Sequence, residues 1–239
     1  MTKGIVISLY DFTGEAVKPW AKAGYECHCY DIQHQGRIEH FTGGGSIKCL
    51  KADLHKKSTI LMLMRKYKGG NAVFGMAFPV CTDLAVSGAA WFKAKADIDP
   101  SFQSKAVNHA ILCSDLFQYI GVPFFVENPV SVLATKWRKP DHMFHPYQYG
   151  GYIYGDQAEH PVWPEYIAPM DAYKKKTCLW TGNGFIMPEP KAVDPEAYHG
   201  NGYSTAMMKL GGKSQRTKNI RSATPRGFSQ AVFEANNNS

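Results

Sequence analysis

The stretch Gly4-Ile5-Val6-Ile7-Ser8-Leu9-Tyr10 runs straight into Asp11. A short apolar run cut off by an acid reads as a strand buried on both faces. Residues 15–23 then fit a helix, with Pro19 in the first turns and Gly24 as the stop. Tyr25-Glu26-Cys27-His28-Cys29-Tyr30 alternates and ends at Asp31, which predicts a second strand. Residues 47–54 predict a third, with Asp53 at its end. Residues 55–67 predict a helix closed by Gly69-Gly70, and residues 71–78 a fourth strand running into Pro79. Ala106, Ala110, Ile111, Leu116, Phe117 and Ile120 recur at helical spacing over residues 102–120, and Gly121 follows. Residues 123–126 predict a fifth strand stopping at Glu127. Strands alternating with helices imply an α/β fold, a mainly parallel sheet with helices on both faces. Right-handed crossovers bring the C-terminal strand ends to one edge, where such sheets bind ligands.

The sequence has 239 residues and reads as a single domain, 1–239. Residues 1–130 form the expected core. Residues 131–208 change texture, being rich in Pro, Gly, Tyr, Trp and His, and read as a small irregular region with one strand at 175–180. Residues 209–235 read as a basic segment and a closing helix, and 236–239 as a frayed tail. The 44% hydrophobic content excludes overall disorder. No apolar stretch reaches the ~18 residues of a membrane span, and the first apolar segment is too short for a secretory signal. Six scattered cysteines argue for a reducing compartment. The expectation is a soluble cytoplasmic protein with no membrane partner.

Asp11, Asp31, Asp53, Pro79-Val80-Cys81 and Glu127-Asn128-Pro129 all fall at expected C-terminal strand ends. Each acid alone reads equally well as a helix cap. Five positions at successive strand ends are harder to assign to capping. Asp11-Phe12-Thr13-Gly14 is a strand-to-helix turn in which a glycine allows close approach of a ligand. It is neither a G-x-G-x-x-G fingerprint nor a Walker loop. Asp31 follows it by about 20 residues, the spacing of an acid that holds ribose hydroxyls. Together they point to a nucleoside-containing ligand. Cys81, on a loop leaving a strand, suits an attacking thiolate. The other five cysteines read as buried and structural. Cys27-His28-Cys29 has the wrong spacing for a zinc site, and no metal is expected.

In this order the residues resemble the DNA cytosine-5 methyltransferase family, which carries a D-x-F-x-G turn, acids ending strands two and three, a Pro-Cys loop and an E-N-V or E-N-P strand end. The likeness is closer to compact phage-encoded members with C-T-D-x-x-V-S-G, E-N-P-V and K-x-T-C-L-W, read here at residues 81–88, 127–130 and 175–180. It covers about the first 150 residues and continues more weakly through 174–180 and the last ~20. The resemblance implies a Rossmann-like fold that binds S-adenosyl-L-methionine. Phe12, Thr13 and Gly14 would shape the cofactor pocket with Pro79, Asp31 would bind the ribose, and Asp53 and Leu54 would border the adenine. Cys81 would attack C6 of a flipped cytosine, and Glu127, followed by Asn128, would hold N3. The product would be DNA methylated at C5, in a bacterial host cytoplasm if the protein is phage-encoded.

Three features depart from the family. Val80 stands where proline usually precedes the cysteine. No Gln-x-Arg motif follows Glu127, Gln215-Arg216 lacking the spacing, and Arg138 stands in as a guess at its base-supporting arginine. No large target-recognition domain is present, so residues 131–215 must supply the contacts that choose a site. Lys209, Lys213, Arg216, Lys218, Arg221 and Arg226 lie in a run without an acid. Arg216 and Arg221 are expected phosphate contacts, a solvated basic loop being the plainer reading. Two alternatives stay open beside methylation of DNA. One is C5 modification of RNA or a nucleotide, or with a modified donor. The other is an inactive relative that binds DNA or a protein. Oligomeric state is left open.

Overall fold

The computed structural model describes residues 2–211 and 214–237. Two compact units emerge. One comprises the residues up to Phe12, Trp20–Met143 and Thr177–Phe185; the other comprises Thr13–Pro19, Phe144–Lys176 and the residues from Ile186 onward.

The first unit holds β1 (Ile5–Leu9), α1 (Lys18–Lys22, from Trp20 on), β2 (Glu26–Asp31), β3 (Arg37–His40) and β4 (Ser46–Lys51). It continues with α2 (Lys57–Tyr67), β5 (Ala72–Ala77), a 3-10 run (Val86–Trp91), α3 (Phe92–Ile98), α4 (Phe102–Ile120) and β6 (Phe124–Pro129). Then come α5 (Leu133–Lys136), β7 (His142–Phe144) and β8 (Thr177–Gly182). The eight strands form one sheet in the order β3-β4-β2-β1-β5-β6-β8-β7. The central pairs β4–β2, β2–β1, β1–β5 and β5–β6 are parallel; β3–β4 and β6–β8 are antiparallel. The protein is therefore α/β with a mostly parallel mixed sheet. The chain winds outward from β1 to β4, then returns to β5 on the other side of β1. The switch point lies between β1 and β5, and ligands of such sheets bind outside the strand ends there.

Strand alternation sends Ile7, Leu9, Ala77, Phe124 and Val126 to one face, where Leu63 of α2 and Cys113, Leu116 and Phe117 of α4 cover them. The other face carries Phe74 and Phe125. Trp20 of α1 stacks on Phe74 with ring centroids 5.0 Å apart, and Phe185 packs against both phenylalanines. Gly75 sits on the α4 face, where a Cβ would run into the Phe117 ring. Gly75→Ala should therefore destabilise the protein by about 1–3 kcal/mol, because the overpacked ring has to move in a filled core. A urea melt monitored by tryptophan fluorescence checks this, and an unchanged midpoint would refute it.

Several boundaries differ from the sequence expectations. The 15–23 helix breaks into a 3-10 turn (Glu15–Val17) and the short α1, with Pro19 at the junction. The third strand stops at Lys51. Asp53 then accepts the N–H of His55 in a turn that delays α2 to Lys57. The fifth strand runs through Glu127 to Pro129, because β8 stays paired with it up to Pro129↔Thr177. The edge strand β3 gave no signal: its Arg-Ile-Glu-His sequence is polar and exposed, and a glycine turn folds it back on β4.

The second unit holds three further helices, α6 (Thr205–Lys209), α7 (Gln215–Ser222) and α8 (Arg226–Asn236). The Phe144 and Phe228 rings stack at 4.0 Å, with Tyr149 edge-on to Phe228. Ile167, Ala168, Ala172, Tyr173 and Ala223 form a second cluster. The expected frayed tail is corrected at its start. Asn236 is buried at the end of α8, donates to Ile186 O and accepts from Ile186 N. Residues 238 and 239 of that tail, like Lys213 of the basic run, lie outside the described residues. Among the described residues no helix is long and apolar enough to cross a membrane.

Candidate active site

Five neighbouring parallel strands place their C-terminal ends along one edge of the sheet. In spatial order they lead to Asp53, Asp31, Asp11-Phe12, Pro79-Val80-Cys81 and Glu127-Asn128. At ~4.8 Å per strand, the ends of β2 and β6 lie about 14 Å apart.

The β5 and β6 ends are tied together. Asn128 is buried, and its Nδ2 donates to Pro79 O at 2.9 Å. Past Cys81 the chain turns, with Leu84 N and Ala85 N both donating to Cys81 O at 3.0 and 2.8 Å. It then runs antiparallel to the segment after β6. Ala85 bridges to Ser131, Val86 N donates to Val130 O at 3.1 Å, and Val132 N donates to Leu84 O at 3.0 Å. Cys81 is thus held on a loop fastened at both sides to the chain leaving Glu127. It is half-buried, whereas the other five cysteines are buried, and the six form no disulfide. Glu127 projects to the sheet face opposite α4, with Phe125.

The Asn128 amide, an expected substrate contact, donates to Pro79 O and so holds the Cys81 loop. Asn128→Ala leaves the buried Pro79 carbonyl unpaired and should cost about 1–3 kcal/mol. Asn128→Asp should cost more, since it adds a buried charge that cannot donate. Equal melting midpoints for wild type and both variants would refute this.

At the β1 end, Asp11 is buried and accepts from Ser8 Oγ at 2.8 Å, while its carbonyl bonds His34 Nε2 at 3.0 Å. Tyr10 precedes it at φ 58°, a left-handed conformation that is uncommon for a bulky residue. The exposed Phe12 ring lies over His34, centroids 5.8 Å apart. Thr13 and Gly14 follow in the second unit, with Gly14 at φ 71°, which glycine adopts without strain. Asp31 is buried and its Oδ1 accepts from Gln33 N at 2.8 Å. The Tyr10 hydroxyl is buried with no hydrogen-bond partner, and burial, then Cys113, Asp53 and Asp31, push its ionisation well up. The His55 ring faces Tyr10 at 5.8 Å and stacks on His109 at 4.3 Å. Burial, with His55 beside it, lowers the His109 pKa. No sequence pattern marked His34 or His109, because their partners Asp11 and His55 lie 23 and 54 residues away in the chain.

Leu54 belongs to the core cluster. Arg138 is not brought to the Cys81 edge. Its guanidinium holds both Asp141 oxygens at 2.8 and 2.7 Å and donates to Thr181 O, level with Phe125 at the start of β6. Cys27 and Cys29 face one side of β2 with Val6 and Ser8, while His28 faces Tyr67 on the other side. Among the described residues no group of three or more His, Cys, Asp or Glu could hold a metal ion.

In the second unit the basic run divides. Arg216 lies near Glu165, at 3.6 Å, and over Tyr166. Lys218 and Arg221, one helical turn apart on α7, are exposed, while Thr217 and Ile220 point inward. Arg226 is not a surface cation for phosphate. Its guanidinium donates to Gln157 O and Ala158 O at 2.8 and 2.9 Å.

No protein-family model matches this chain, and no curated protein matches it.

Proposed function

We propose that the chain transfers a methyl group from S-adenosylmethionine to C5 of cytosine in DNA, in the cytoplasm of a host cell, through a Rossmann-like methyltransferase domain. The observation that carries this reading is the tether between the Cys81 loop and the Glu127-Asn128 strand end, which supports a thiol and a carboxyl acting on one base. The edge on the other side of the switch point suits the donor. Phe12 offers an exposed ring, Asp31 a carboxyl group for a ribose, and Tyr10 a buried hydroxyl with no partner. S-adenosylmethionine, when bound, supplies an electrophilic methyl carbon.

The chain's own residues supply the rest. A cytosine inside a duplex must leave the stack before the Cys81 sulfur can approach C6 from above the ring plane. As Sγ bonds to C6, the electron pair of the C5–C6 bond moves onto the ring, and Glu127 stabilises the charge at N3 by hydrogen bonding and proton donation. C5 is then the nucleophile that takes the methyl group. Loss of the C5 proton restores the double bond and expels the thiolate. Lys218 and Arg221 are suited to phosphate contact.

Incubation with S-adenosylmethionine carrying a labelled methyl group and duplex DNA tests this. Label in 5-methylcytosine is the expected result. Cofactor binding without label in DNA would overturn the reading, and label in RNA alone would move the substrate to RNA.

A further inference from the structure

β3 (Arg37–His40) is one edge of the sheet, and among the described residues only β4 pairs with it. In that antiparallel pair Arg37 lies opposite Cys49, Ile38 opposite Lys48 and Glu39 opposite Ile47. Just beyond it, Phe41 N donates to Gly45 O at 3.0 Å. Hydrogen-bonded and non-hydrogen-bonded positions alternate along such a ladder, so Arg37, Glu39 and Phe41 turn their N–H and C=O groups toward β4. Ile38 and His40 turn theirs outward. The far side of β4 has the matching phase, because Ser46 N donates away from β3, to Tyr25 O. Arg37 and Glu39 share one face of β3 at the surface, 3.5 Å apart, and Ile38 is 55% exposed on the other.

A free edge is a template for another strand, and charged side chains ordinarily discourage that pairing. Here the charges fit one partner, a second copy of this chain. An antiparallel copy related by a two-fold axis through Ile38 sets Arg37 opposite Glu39 of the second copy, and the symmetry repeats the pair. These are non-hydrogen-bonded positions, where cross-strand side chains lie closest. Ile38 then faces Ile38 of the second copy, and the outward N–H and C=O groups of both are bonded. Moving the axis by one residue sets Glu39 against Glu39 or Arg37 against Arg37. Moving it by half a residue sets outward backbone groups against inward ones. We propose that β3 pairs with β3 of a second copy in this one register and joins the two sheets edge to edge. The parallel strands of the two copies then run in opposite directions, so the two Cys81 edges face opposite ways.

The strand is four residues long, so the association should be weak and concentration-dependent. Sedimentation velocity of the full chain over rising concentration tests it, and the wild type should pass from monomer to dimer. Arg37→Glu and Glu39→Arg each put like charges at both cross-strand positions, and each should weaken dimerisation about ten-fold or more. An equimolar mixture of these two variants restores both opposite-charge pairs between unlike copies. The double variant Arg37→Glu/Glu39→Arg restores them between like copies. The mixture and the double variant should therefore dimerise as the wild type does. Both side chains lie at the surface, so all variants should melt with the wild type. The proposal is overturned if the wild type is still monomeric at about 1 mM, if the single variants dimerise like the wild type, or if the mixture stays monomeric.

Discussion

Cys81→Ala should abolish methyl transfer to DNA, by at least about 10⁴-fold, while the protein still folds and still binds S-adenosylmethionine. The size follows from the chemistry. Without sulfur addition at C6, C5 of cytosine is too weak a nucleophile to accept a methyl group at a useful rate, and no other group in the tethered loop can add there. Folding should be spared because the backbone carbonyl at position 81, which receives Leu84 N and Ala85 N, is unchanged by the substitution. Glu127→Gln should lose less, about 10²–10⁴-fold, since an amide still hydrogen-bonds the ring but cannot give up a proton. DNA containing 5-fluorocytosine should form a covalent adduct with the wild type and none with Cys81→Ala. Measurable turnover by Cys81→Ala would remove the thiolate from the mechanism.

The second large effect lies in the other unit and concerns stability against pH. Asp171 is completely buried at φ 50°, and its Oδ2 accepts Gly227 N at 3.0 Å at the start of α8. Burial raises its pKa to about 6, against the opposing pull of the Gly227 N–H and Arg226. His160 is also buried, and its Nδ1 accepts from Val162 N and Trp163 N at 3.2 and 3.1 Å. Burial, then Arg226 and Lys18, lower its pKa to about 4. A raised acid favours the native state at low pH. The Asp171 contribution is complete below its ordinary pKa and is lost as pH rises through about 6. A lowered histidine does the reverse. Its contribution is complete above its ordinary pKa and is lost as pH falls through about 4.

Between pH 6 and 4 the two therefore oppose each other: the native state takes a proton on Asp171 while the unfolded chain takes one on His160. Separating them exposes each. Asp171→Asn retains an acceptor for Gly227, and its stability relative to wild type should fall by at most about 3 kcal/mol between pH 7 and 4. His160→Asn retains an acceptor for the two N–H groups, and its relative stability should rise by a similar amount, about 3 kcal/mol, over the same interval. Urea melts of both variants at several pH values check this. Slopes of the same sign, or two flat lines, would refute it.

Much of the first unit was legible in the chain. Apolar runs of strand length that stop at acids, and the 102–120 periodicity closed by Gly121, are local patterns, and α4 (Phe102–Ile120) matches its expected bounds. The edge strand β3 was not legible, because a polar strand carries no burial signal. Arg138 read as a stand-in for a base-supporting arginine, and Arg226 as part of a basic run. Their carbonyl partners lie 43 and 68 or more residues away in sequence, beyond what spacing encodes.

The sequence by itself determined that this is an α/β protein with a mainly parallel sheet, and that Asp11, Asp31, Asp53, Cys81 and Glu127 fall at or just beyond strand ends. Hydrophobic periodicity and right-handed crossovers are enough for that. Only the tertiary structure decided what each polar group does there. It made Asn128 a tether, Leu54 a core residue and Arg226 a clamp on two carbonyls, and it left Trp91 exposed at the end of the 3-10 run that follows the Cys81 turn. The physical reason is that a buried donor or acceptor must be paired, and its partner is chosen by strand order and register, which bring together residues the sequence keeps far apart.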